Sequence, residues 1–150
     1  MISRHSLLGV ALCAALLFSA GPGETQSATG SIEGSIGYPS EEIPAMHIYA
    51  IALDGGGPAR KVETSRAQTS FSIPNLPPGR YHVIAYPVGE GDAGMTGGWT
   101  NFVTCGMTAQ CLQHDLLPVT VVAGKATAGI RIEDWYANPG SFPTEATLAP

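Results

Sequence analysis

The segment from Thr69 to Tyr86, TSFSIPNLPPGRYHVIAY, constrains the fold of this 150-residue chain more than any other, because it reads as two β-strands joined by a proline-glycine corner. Phe71 and Ile73 alternate with Ser70 and Ser72, the pattern of a strand with one buried face. Leu76-Pro77-Pro78-Gly79 then turns the chain. Beyond the turn, Tyr81, Val83 and Ala85 alternate with His82, Ile84 and Tyr86, so apolar residues stand on both faces. Edge strands seldom carry such a pattern, and this strand is expected in the middle of a sheet.

The same period of two recurs along the chain. In Ser31 to Tyr38, Ile32, Gly34, Ile36 and Tyr38 share a face. His47 to Leu53 is again apolar on both sides, and Asp54-Gly55-Gly56-Gly57-Pro58 ends it. Arg60 to Arg66 has the polarity of an edge strand. Gly89 to Gly98 reads as loop, Trp99 to Val103 as a short strand, and Leu117 to Val122 with Ala128 to Ile132 as a hairpin turning at Ala123-Gly124-Lys125. No helical period appears outside the N-terminal apolar run. Some seven short strands with turn signals between them predict an all-β fold, an antiparallel, Ig-like β-sandwich spanning residues 31–137. The tail, Asn138 to Pro150, holds three prolines and is expected to be loosely ordered or laid over the sandwich.

The pattern Gly30-x-Ile32-x-Gly34-x-Ile36, followed by Phe71-x-Ile73-x-x-Leu76-x-Pro78-Gly79-x-Tyr81-x-Val83-x-Ala85, resembles the carboxypeptidase regulatory-like domains, transthyretin-like (prealbumin-like) sandwiches of many secreted bacterial proteins. The resemblance covers about Ser31 to Ile132, and its second half is the specific part. It makes the corner structural: Gly79 is expected to permit the tight turn, and the Tyr81 hydroxyl to reach back to upstream backbone, as in a tyrosine corner. The chain departs from the plainest members of that family by a long insert between Gly89 and Gln113.

At the N-terminus, Arg4 and His5 precede an apolar run from Leu7 to Phe18 and then Ser19-Ala20-Gly21-Pro22-Gly23, the layout of a secretory signal. A membrane span needs about 20 apolar residues, so this run reads as a cleaved leader, residues 1–20, with a small-residue linker over 21–30 and no span in the mature chain. Ala20 is the expected last leader residue, with Ala28 as an alternative. Cys13 as a lipid attachment site is disfavoured by Leu12 before it. The protein is therefore expected to be secreted or periplasmic. Twelve acidic against seven basic side chains give a net charge of −5, and no Lys/Arg cluster is present. That balance argues against nucleic acid or an anionic membrane as partner.

In an oxidising compartment Cys105 and Cys111 are expected to form a disulfide. As zinc ligands with His114 they lack the usual spacing and a fourth ligand. His47 and His82 sit on strands, and His114-Asp115 are strand neighbours that point to opposite faces, so adjacency alone makes no catalytic dyad. No GxSxG, HExxH or HxxE pattern occurs, and Asp54, Glu90 and Asp92 lack the spacing of a calcium loop. No catalytic residue, metal or cofactor is assigned. Trp99 and Phe102, beside the glycine loop, and Trp135 and Tyr136, after the last strand, are the candidate binding residues, against the alternative that they plug the ends of the sandwich. The functional expectation is an exported, non-catalytic accessory or binding module whose partner is an envelope protein or glycan. The alternatives are a structural protein docking through an edge strand and, behind it, an exported hydrolase.

Overall fold

The computed structural model describes residues 28–55, 57–89 and 94–148. The expected leader, its cleavage position at Ala20 and most of the linker lie outside them, as do Glu90 and Asp92. Eight strands form two sheets: β1 (Gly30–Ile36), β2 (Met46–Ala52), β3 (Arg60–Thr64), β4 (Ser70–Leu76), β5 (Gly79–Pro87), β6 (Gly97–Gly98), β7 (Val119–Val121) and β8 (Ala126–Ile132). One sheet has the order β4-β1-β8, and the other β3-β2-β5-β6, with β7 on the same side of β5 as β6. Both double-faced strands lie inside the larger sheet, and polar β3 is at its edge, as their patterns predict.

The inner faces make the core. Ile32, Ile36, Ile73, Phe71, Ile130 and Ile132 of the smaller sheet meet Ile48, Ala50, Val83, Ala85, Val119 and Val121 of the larger. Alternation is what puts these residues on one side of each strand.

The outer face of the larger sheet is also apolar, which explains the second face of β2 and β5. Tyr49, Ile84 and Tyr86 form a small cluster there, joined by Leu116 and Leu148. The tail lies across this face, the second of its two expected states. The Tyr86 hydroxyl donates to the Pro143 carbonyl at 2.6 Å, Tyr49 donates to Glu145 at 2.9 Å, and His47 Nδ1 lies 2.6 Å from the same carboxylate oxygen. Burial first, and the Glu145 carboxylate next to it, push the Tyr49 phenol up to about 12.

Three local expectations are corrected. β7 and β8 are not a hairpin: β7 pairs with β5 in one sheet, whereas β8 runs parallel to β1 in the other. Splitting the pair gives β1 and β5 each a further hydrogen-bonded neighbour, and Gly30 makes room for it, because a Cβ there would sit 2.5 Å from the Val122 carbonyl oxygen. Residues 99–103 are not a strand either. Asn101–Thr104 is one helical turn, α1, followed by Gly106 and Met107 in the left-handed region, which reverse the chain. At the corner, the left-handed residue is Asn75 (φ 58°), and Gly79 needs no positive φ.

The corner carries the chain from β4 in one sheet to β5 in the other, and the Tyr81 hydroxyl donates to the Pro77 carbonyl at 2.8 Å. Tyr81→Phe is therefore expected to cost about 1 kcal/mol, the net worth of one hydrogen bond, because the acceptor it leaves behind belongs to an exposed residue. Urea denaturation of the two proteins measures it; a loss within error would show that the hydroxyl contributes nothing to the corner.

Candidate functional site

The insert and the segment after β8 meet against the larger sheet. β6 consists of two buried glycines, and neighbours occupy the space their side chains leave. The Trp135 ring lies over Gly97, while Leu116 and Phe142 close on Gly98. Isolated bridges join Gly98 to Asp134 and Thr100 to Leu116. Three stretches distant in sequence are thereby laced around Asp134.

Asp134 is fully buried. A carboxylate out of water needs donors on its lone pairs, and it has three. Thr100 Oγ1 donates to Oδ2 at 2.7 Å, the Tyr136 amide donates to Oδ1 at 3.1 Å, and His114 Nδ1 lies 2.8 and 2.9 Å from the two oxygens. An ionised carboxylate only accepts, so the proton of this contact is assigned to His114 Nδ1. The other ring nitrogen, Nε2, takes no part in that contact. The Phe102 ring packs on His114 with centroids 4.5 Å apart, and Tyr136 stands edge-on to Phe102 at 6.1 Å. The His114 partner is thus Asp134, twenty residues along the chain, and not its sequence neighbour Asp115.

His114 lines a cleft of about 660 Å³. Ile51 and His82, paired across β2 and β5, lie on its sheet side. Leu112, Asp115 and Leu116, on the insert side of the chain, and Asn138, Ser141 and Pro143 of the tail also line it. Burial holds the His82 imidazole below its usual pKa, so at neutral pH it is uncharged. The cleft offers two imidazoles, a carboxylate, an amide and a hydroxyl beside apolar side chains, a set suited to hydrogen-bonding a polar ligand.

The four aromatic candidates divide. Phe102 and Tyr136 come together beside His114, and Tyr136 is 60% exposed. Trp135 is 8% exposed, donates its indole N–H to the Gly37 carbonyl and packs edge-on against Tyr38. Trp99 is half-buried against the core. Asp54, which does not line this cleft, pairs with Arg80. Among the described residues no group of three or more His, Cys, Asp or Glu side chains is placed to hold a metal ion. Asp134 and Thr100 escaped the sequence reading. The one available signal was an aspartate at the place that continues the alternation of Ile130 and Ile132, where a buried carboxylate would need distant donors.

The sulfurs of Cys105 and Cys111 lie at disulfide-bonding distance, with Cα atoms 6.3 Å apart. The link closes the loop that follows α1. Thiol labelling of denatured, unreduced protein is expected to find neither cysteine reactive, and replacing both by Ser should cost about 2 kcal/mol by loop entropy. Labelling of both would disprove the bond.

Compared with known families and with curated proteins, the sequence matches no family model and no curated protein.

Proposed function

We propose that this chain is an exported, non-catalytic binding module, similar in build to the carboxypeptidase regulatory-like domains, and that its outer cleft receives an envelope glycan. The observation that carries this reading is His114, oriented through Nδ1 by a buried carboxylate, in a cleft that also offers Asp115, Asn138 and Ser141. Tyr136 and Phe102 add flat aromatic surface beside it, which suits sugar rings. Export is supported by the short apolar leader in the sequence and by the cysteine pair, whose bonding distance fits an oxidising, extracytoplasmic compartment. Among the described residues no helix is long and apolar enough to cross a membrane.

Docking through a sheet edge has less support. The β3 edge carries Arg60, Lys61 and Glu63, and the β4 edge carries Pro74, the devices that discourage strand addition.

Retention on a panel of immobilised envelope glycans tests the proposal. The native protein should be retained, and Tyr136→Ala and Phe102→Ala should lose retention while melting changes little. Retention by both variants equal to the native protein, or by none of the three, would overturn it. Hydrolysis of p-nitrophenyl acetate that disappears in Ser141→Ala and in His114→Gln would replace it with the hydrolase reading.

A further inference from the structure

At the corner end of the sandwich lies a second recess, smaller and more apolar, of about 290 Å³. Its walls include Pro58, Ala59, Leu76, Pro77, Pro78 and Tyr81. Three proline rings and a buried leucine give it rigid apolar surface. Two fixed contacts hold its shape: the Tyr81 hydroxyl on the Pro77 carbonyl, and the two-pronged pair of Arg80 with Asp54 at 2.6 and 3.1 Å. A recess already held in shape loses little entropy when it is filled.

The charge around it is unusual for an acidic chain. Lys61 pairs with Glu63, Arg66 with Glu42, Arg80 with Asp54 and Arg131 with Glu133. Arg60, which lines the recess, has no carboxylate partner among the described residues. Its charge is felt at the recess wall: burial pushes the Tyr81 phenol up, and the Arg60 guanidinium acts against that rise. An unpaired guanidinium beside an apolar slot is complementary to a ligand with one anionic end and one apolar end.

We propose that this corner slot binds a small amphiphilic monocarboxylic acid, its apolar body against the prolines and Leu76 and its carboxylate on Arg60. The volume selects a free acid with a single ring or short branched chain over an extended peptide, since ligand pockets for drug-sized molecules run from about 300 Å³ upward. The site is separate from the outer cleft and does not depend on the function proposed for it.

Titration of the full chain with 3-phenylpropanoate, followed by amide NMR, tests the assignment. Saturable shifts are expected at Ala52, Ala59, Arg60, Gly79 and Tyr81. Loss of the charged contact should weaken binding about tenfold or more, both for Arg60→Gln with the acid and for the native protein with 3-phenylpropanamide. Arg60→Gln should melt with the native protein, because Arg60 has no ion pair to lose. Four results would overturn the proposal: no saturable shift up to the solubility limit of the acid, shifts centred on His82 and His114 instead, Arg60→Gln binding as tightly as the native protein, or a phenylalanine-terminated dipeptide binding more tightly than the free acid.

Discussion

Asp134→Ala is expected to cost about 3 kcal/mol or more, because it strands several donors at once, at roughly 1 to 3 kcal/mol for each that water cannot reach. The substitution leaves the Thr100 hydroxyl, which is fully buried, and the Tyr136 amide and His114 Nδ1 without their acceptor. It also removes the hydrogen-bonded tie among the insert, the approach to β7 and the segment after β8, leaving the Phe102 ring on His114 and Tyr136 as a remaining contact among the three. A domain of this size has about 5 to 15 kcal/mol of stability in total, so the variant should be marginal or unfolded at room temperature. Asp134→Asn keeps the volume and one accepting oxygen and should fall between it and the native protein. Urea denaturation of the three proteins makes the comparison. A native-like midpoint for Asp134→Ala would mean that the buried carboxylate is not what holds His114 and its neighbours in place.

Gly34→Ala should damage the fold nearly as much, with a loss of about 3 kcal/mol or more, at the upper end of what overpacking costs. β1 is the middle strand of its sheet, and its pairing with β8 shifts register between Ile32 and Gly34. Gly129, in the left-handed region at φ 84°, lies just before Ile130, whose carbonyl stands over the Gly34 Cα. A Cβ at position 34 would collide with that carbonyl oxygen and lie 2.8 Å from both the Ile130 carbonyl carbon and Cε1 of Phe71. Two of these atoms are backbone, so no rotamer change relieves the clash. Gly79→Ala is the matched control. Its Cβ would meet only the Tyr81 ring at 3.7 Å, an ordinary contact, and it should change stability by no more than about 0.5 kcal/mol. Thermal melts of the two alanine variants decide between them; equal losses would place the demand for glycine at the corner after all.

These two glycines show how far residue type alone can be read. Both belong to the motif that resembles the regulatory-like domains, and the sequence suggested a turn role for Gly79. The structure puts the left-handed residue at Asn75 and the close approach at Gly34. A glycine signals that something needs space or an unusual backbone, but the neighbour that needs it is far away in the chain. The aromatics follow the same logic. Trp135 and Tyr136 are adjacent in sequence and have opposite fates, one in the core and one 60% exposed, because adjacent side chains leave an extended backbone in opposite directions.

Period-two alternation and the Pro-Pro-Gly corner were sufficient, without any coordinates, to define an all-β sandwich, its central strands and its polar edge. These are properties of the local chain: alternation sets which face each residue occupies, and apolar residues on two faces require cover on both. The tertiary structure alone decided where that cover comes from, with the tail on Tyr49, Ile84 and Tyr86. It also decided that β7 and β8 join different sheets, that residues 101–104 turn as helix, and that His114 answers to Asp134. Each of these depends on which edges, donors and acceptors remain open once the rest has folded. Hydrogen-bond partners are settled by that competition across space, and a pattern read along the chain does not contain it.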